Sequence, residues 1–279
     1  MVAHVLSRAV IDLDGVVWRG GNPLPGAADA VARLLARGVD VVFCTNYAQG
    51  PGEKAQQLRD AGIPDAPVVT SAESAAAAAG AGARGLVMGE PSLVACLREA
   101  GVDVVDVWDL PDGEVPPVDV VVVGATPRWD RSRVGMVADA VRAGALFLAT
   151  NDDPTYPVPG RDGQRLLPGN GALVAAVETA SGRRAEVTGK PHGPMADLLT
   201  SRHGPVDVVV GDQPETDGLL ATRLGAGFAL VLTGVTARED LPVEPEPAVV
   251  GDDLAEVVER LLGGDGAATA RAGAEGPRR

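Results

Sequence analysis

Three short apolar runs in this chain each end on a polar residue, and that pattern limits the fold more than any other feature. Arg8–Ile11 runs into Asp12, residues 39–44 run into Thr45-Asn46, and residues 206–210 run into Gly211-Asp212. Unbroken Val/Ile runs of this length are typical of parallel strands buried on both faces. Between them lie Ala/Leu/Arg-rich segments with helical spacing. Ala27, Val31, Leu34 and Leu35 share one face, and Gly38 is placed to end that helix in a left-handed conformation. Repeated strand–helix units imply a doubly wound parallel sheet with its site at the carboxyl ends of the strands. The ends carrying Asp12, Thr45 and Asp212 are therefore expected to converge.

A second set of signals interrupts the first. Ser71 is expected to cap an alanine-rich helix running to Ala79. Beyond it, residues 85–88, 118–124 and 145–148 read as strands, with helices at 92–100 and 131–143. Residues 151–171 are rich in Pro, Gly and Asp and read as a long functional loop. A helix at 172–180 follows. The first style then resumes, with a helix at 216–224, a strand at 228–232 and a last helix capped by Asp252 or Asp253 and running to Leu262. The Gly/Ala-rich tail, 263–279, reads as disordered.

Composition narrows the function. Hydrophobic residues make up 46% of the 279 but aromatics only 3%, so the core is built from Ala, Val and Leu. Few aromatics leave few platforms for stacking bases. A net charge of −14 repels phosphate backbones and anionic membranes, so neither nucleic acid nor membrane is expected as a partner. A small anionic substrate is compatible with that charge if the site carries its own cation. Two cysteines are too few for a disulfide framework, and Cys44, within an apolar run, reads as a buried thiol. Residues 1–7 lack the apolar core of a signal peptide, and no run approaches the ~20 apolar residues of a membrane span. The chain reads as cytoplasmic.

Four local patterns carry chemistry, and each has a plainer reading beside it. Asp12-Leu13-Asp14-Gly15-Val16 sets two carboxylates in one turn at a strand end, an arrangement that calls for a cation such as Mg²⁺ or a shared proton. Asp is also common in ordinary turns. Thr45-Asn46 offers a hydroxyl and backbone N–H groups to an oxyanion, or is simply a polar turn. Lys190, between Gly189 and Pro191, is placed to aim a cation inward, although most lysines are solvated. Asp212 and Asp217 flank the end of an apolar strand and suit metal ligation with a supporting acid, or helix capping. Order, strand-end placement and chemical complementarity make the joint reading stronger than any one pattern.

Together these residues resemble the haloacid dehalogenase superfamily of phosphohydrolases, in the branch that contains NagD-type nucleotide phosphatases and 4-nitrophenylphosphatases. The resemblance rests on D-L-D-G-V at Asp12, T-N-Y at Thr45, A-T-N-D-D at Ala149, P-G-N-G-A-L at Pro168, G-K-P at Gly189, G-D-x-x-x-T-D at Gly211 and L-T-G-V-T at Leu232. It spans nearly the whole chain to about Leu262. It implies an α/β fold with a Rossmann-like, doubly wound parallel-sheet core at 1–71 and 185–262, interrupted by a large α/β cap at 72–184. It also implies roles. Asp12 is the nucleophile and becomes an aspartyl phosphate; Asp14 is the general acid and base. Thr45, the Asn46 backbone and Lys190 hold the phosphoryl oxygens. Asp12, the Asp14 carbonyl and Asp212 bind Mg²⁺, with Asp217 assisting.

The implied substrate is a small phosphorylated metabolite. Glycerol 3-phosphate, phosphoglycolate, a nucleoside monophosphate and 4-nitrophenyl phosphate all suit the branch. The P-G-N-G-A-L segment and the helix after it favour glycerol 3-phosphate, by resemblance. Asn151, Asp153, Tyr156, Arg161 and Asn170 lie where relatives read their substrate, Trp18 suits a flap over the site, and His192 suits the pocket mouth or a cap. Ala/Leu faces in the cap leave a homodimer open. Two departures stand out: residues 47–50 lack the Ser/Thr/Arg pattern common after Thr-Asn, and Gly218 replaces an aliphatic residue. A receiver-like or non-catalytic phosphate-binding protein is the rival class. Receivers need neither the second acid, Asp14, nor a large insertion before the lysine.

Overall fold

The computed structural model describes residues 6–160 and 163–263, so the 264–279 tail and Arg161 lie outside the described residues. The described residues divide into two units, one formed by residues 6–45, 52–69 and 196–263 and the other by 46–51, 70–160 and 163–195. Among the described residues no helix is long and apolar enough to cross a membrane.

The first unit holds a six-stranded sheet ordered Val249–Gly251, Gly227–Val231, Val208–Gly211, Arg8–Ile11, Asp40–Thr45, Val68–Thr70. The pairs given a register are parallel, with Ile11 beside Phe43 on one side and Val210 on the other. Arg8–Ile11 is therefore the strand from which the connections depart in opposite directions, the switch point at which open α/β sheets form a crevice. One sheet face, with Ala9, Ile11, Phe43, Val210 and Val231, packs on the helices Ala27–Ala36 and Leu254–Leu262 through Val31, Leu34, Val257 and Leu261. The helix ends follow local chemistry. Gly38 has φ 76°, and the N–H of Val39 bonds back to Leu34 at 3.1 Å, closing the first helix. Asp253, rather than Asp252, caps the last helix by accepting from the Glu256 N–H at 2.8 Å.

The second unit has a parallel five-stranded sheet ordered Glu186–Val187, Leu146–Ala149, Val120–Val123, Arg84–Met88, Asp103–Asp106. Ser71–Ala79 and Pro91–Glu99 cover one face, where Ala72, Ala75 and Ala76 let the backbone come close to Val87, Val122 and Leu148. Arg131–Arg142 and Asn170–Ser181 cover the other.

Two expectations change. Thr70, not Ser71, caps the alanine-rich helix, in a reciprocal capping box with Glu73. The Ser71 hydroxyl instead donates to the Asn46 carbonyl at 2.8 Å. Residues 151–171 are not one long loop, because Thr155–Gly160 and Gly163–Pro168 pair as an antiparallel ribbon. A ribbon of two strands is all edge, so its prolines are tolerated without breaking a ladder on both sides. Glu186–Val187 pairs with Leu146–Ala149 at the edge of the second unit's sheet.

Candidate active site

Asp12 follows the central strand directly, its N–H bonded to the Val210 carbonyl at 2.9 Å. Asp212 follows the neighbouring strand by one residue, and Asp217 returns after a wide turn across Pro214–Gly218. All three are buried, and they offer carboxylate oxygens within 4.8 Å of one another. Three buried anions this close repel unless a cation or protons intervene. An all-oxygen donor set of this kind fits a hard divalent cation such as Mg²⁺.

Backbone details hold the cluster. The N–H of Val235 donates to Asp212 Oδ2 at 2.7 Å, and the Thr236 hydroxyl donates to the Asp212 carbonyl at 2.6 Å. A Cβ at Gly234 would strike the Asp212 carboxylate, and one at Gly211 would strike that of Asp217. The N–H of Gln213 donates to Asp217 Oδ2 at 3.2 Å. Residues 232–236 thus buttress Asp212, a task that sequence reasoning left unassigned; the Gly-Val-Thr after an apolar strand was the signal. Gly218 lies 3.0–3.2 Å, measured from an added Cβ, from Pro245 and the Phe228 ring. The absence of an aliphatic side chain there is steric.

The turn after Asp12 is equally constrained. Gly15 has φ 83°, and a Cβ on it would meet Asp212 and the Gly234 backbone. Thr233 donates its hydroxyl to the Gly15 carbonyl at 2.5 Å. Asp14 is exposed, apart from the buried trio, and its Oδ1 accepts from Trp18 Nε1 at 2.9 Å. Trp18 itself is buried and opens the small hairpin Trp18–Arg19/Asn22–Pro23. Thr45 ends the adjacent strand, also buried. Sequence reasoning missed Lys54, a buried lysine in the helix Pro51–Asp60 whose ammonium lies 5.2 Å from the Trp18 ring centroid. Burial pushes its pKa below the usual lysine range, while the Asp14, Glu53 and Asp12 carboxylates oppose that fall. Its spacing of four from buried Leu58 was the available sign.

In the second unit, Asn46 and Lys190 are joined. The Lys190 N–H donates to Asn46 Oδ1 at 2.7 Å, and Asn46 Nδ2 donates to the Lys190 carbonyl at 3.0 Å. Gly189 is required beneath this clamp, because a Cβ there would meet Asn46 Oδ1 and the Thr150 carbonyl. Lys190 is buried. The Asn46 carbonyl accepts from Asn151 Nδ2 at 2.8 Å, and Asn151 is in turn held by Asn170, whose Nδ2 donates to the Asn151 carbonyl at 2.8 Å. Asn170 and Asn151 are both buried and locked into this network, Asp153 Oδ1 accepts weakly from Asn46 at 3.4 Å, and Tyr156 is exposed. His192 Nε2 lies 3.4 Å from Asp152 Oδ2, and the imidazole there holds the Asp152 carboxyl below its ordinary range.

Residues 9–103 match the family model for haloacid dehalogenase-like hydrolases, and residues 187–257 match a second HAD-hydrolase-like model. Over 257 residues the chain is 36% identical to D-glycerol 3-phosphate phosphatase of Mycobacterium tuberculosis, covering 88% of this chain and 69% of that one. The chain belongs to the haloacid dehalogenase-like hydrolases. This hydrolase is also 30% identical to ribonucleotide monophosphatase NagD of Escherichia coli, over 90% of its own length and 98% of the relative's. Among solved structures, glycerol phosphate phosphatase from Mycobacterium tuberculosis in complex with magnesium superposes with a TM-score of 0.76 at 35% identity, covering 90% of this chain and 76% of that one. The hydrolase is a phosphatase of this NagD-like branch.

Proposed function

We propose that this phosphatase hydrolyses a small phosphate monoester, glycerol 3-phosphate foremost, through an aspartyl phosphate on Asp12. The buried cluster of Asp12, Asp212 and Asp217 beside the central strand end carries the reading. A carboxylate oxygen of Asp12 attacks phosphorus opposite the ester oxygen, so the new P–O bond forms as the alkoxide departs. Asp14 gives that alkoxide its proton. Asp14 then takes a proton from the water that attacks the Asp12 phosphate, releasing inorganic phosphate and restoring both carboxyls. Its exposed carboxyl has access to solvent protons, and the Trp18 N–H holds it in one orientation.

Asp12, Asp212 and the Asp14 carbonyl, with Asp217 assisting, would hold Mg²⁺, which would supply positive charge for the phosphoryl oxygens. Thr45, the Asn46 backbone and Lys190 complete the grip on those oxygens. The paired hydrogen bonds between the Asn46 amide and the Lys190 backbone support that role by fixing the base of the lysine side chain. The core is residues 1–71 and 185–262 and the cap 72–184 in this reading. Exposed Leu146 and Leu166 support a homodimer through the cap, and the net charge of −14 with only two cysteines supports a cytoplasmic setting.

The preference for glycerol 3-phosphate follows the 36% identity with the glycerol 3-phosphate phosphatase; the 30% identity with NagD makes ribonucleoside monophosphates the competing class. The test is phosphate release from a panel of both classes with phosphoglycolate and 4-nitrophenyl phosphate, comparing wild type with Asp12→Asn. Release that needs Mg²⁺ and falls by about a thousandfold or more in the variant is the expected result. Undiminished release by Asp12→Asn would remove the mechanism.

A further inference from the structure

We propose that Lys54 and Trp18 form a clamp that positions Asp14 as the proton donor, with Lys54 a positioning residue of the reaction. The inference rests on the phosphatase reading above. On the helix Pro51–Asp60, Glu53, Gln56, Gln57 and Arg59 are exposed, yet Lys54 is buried with Leu58. A lysine on a short surface helix ordinarily carries its ammonium out to water along its flexible stem. Here the ammonium is kept inside, against desolvation that lowers its pKa.

The ammonium lies over the Trp18 indole, 5.2 Å from the ring centroid. That ring donates its Nε1–H to Asp14 Oδ1 at 2.9 Å. A cation held on an indole face is attracted by the ring quadrupole. It also draws electron density from the ring, which makes the N–H a stronger donor, as linked polar contacts polarise one another. The carboxylates of Asp14, Glu53 and Asp12 act on the Lys54 charge, Asp14 most strongly. Lys54, Trp18 and Asp14 therefore form a line of cation, ring, N–H and carboxylate. Asp14 is exposed and sits in a turn that the Gly15 conformation permits, so without the clamp its carboxyl has several rotamers open to it.

A positioned proton donor matters for a poor leaving group and little for a good one. The alkoxide of glycerol 3-phosphate must be protonated as it departs, whereas nitrophenolate leaves as the anion. The value of kcat/KM reports steps only up to the first irreversible one, here phosphoryl transfer to Asp12, so the later water attack does not enter. The experiment measures kcat/KM for both esters in wild type, Lys54→Met, Lys54→Arg and Trp18→Phe. Lys54→Met keeps the packing of the stem, and Trp18→Phe keeps a ring without the N–H.

In Lys54→Met and in Trp18→Phe the ratio of kcat/KM for glycerol 3-phosphate to that for 4-nitrophenyl phosphate should drop by about tenfold or more. Lys54→Arg should recover most of the loss, and the double variant Lys54→Met/Trp18→Phe should lose little beyond either single change, because both act through one contact. Equal losses on the two esters, or additive losses in the double variant, would overturn the clamp while leaving the phosphatase intact. A wild-type enzyme folded by circular dichroism yet inactive on both esters and on ribonucleoside monophosphates would overturn the phosphatase reading and the clamp with it.

Discussion

Asp12, Asp212 and Asp217 place three anions within 4.8 Å of one another under almost complete burial, so the metal-free fold carries their repulsion. Asp217→Asn keeps an acceptor for the Gln213 N–H and removes one charge. The variant should therefore melt about 2–4 °C higher than wild type in chelator, a shift appropriate to ~1 kcal/mol in a chain of this size. In saturating Mg²⁺ the order should reverse, since wild type gains more from binding. Thermal melts with and without Mg²⁺ read both effects; a variant less stable under both conditions would contradict the repulsion argument. The acids were legible because each ends or closely follows a Val-rich strand, where backbone topology alone brings distant residues together. Lys54 was not, because a lysine among Glu, Gln and Arg looks solvated and only the burial of Leu58 four residues on hints at its face. Asn170 was legible as a conspicuous residue of the inserted segment, and its Nδ2 donates to the Asn151 carbonyl.

At the scale of elements, strands and helices were readable wherever periodicity was long, and failures followed from chemistry that composition hides. Ser71 and Thr70 are adjacent hydroxyl residues, and either can cap a helix; the reciprocal bonds with Glu73 three positions on select Thr70. Thr70→Ala should lower stability by about 1 kcal/mol through loss of the cap. Ser71→Ala should cost less in stability but release the Asn46 carbonyl from one of its two side-chain donors. Urea unfolding of the two variants distinguishes these outcomes, and a Ser71→Ala loss exceeding that of Thr70→Ala would reassign the cap. The hairpin at residues 155–168 was hidden by Pro157, Pro159 and two glycines, residues that argue against a central strand but not against a two-stranded ribbon. The strand Glu186–Val187 is only two residues long, too short to leave a sequence signal, and it is held by its pairing with Leu146–Ala149.

The whole molecule carries a charge of −14 and is proposed to act on a dianionic ester, so its long-range field opposes substrate approach while its local cations favour capture. These two contributions respond differently to salt. The field acts over many ångströms and is screened once the Debye length shrinks to about 10 Å near 0.1 M, whereas buried groups such as Lys190 are screened far less. Raising ionic strength from about 0.01 M to about 0.15 M with a monovalent salt, at fixed free Mg²⁺, should therefore increase kcat/KM for glycerol 3-phosphate by about two- to threefold. The value of kcat should stay constant, because the bound complex no longer senses the diffusional field. The comparison needs an uncharged viscosity control, since the effect lies in encounter. A fall in kcat/KM with salt would mean instead that a basic route to the site outweighs the net charge, and it would place attraction of the substrate among the local cations rather than in the site alone.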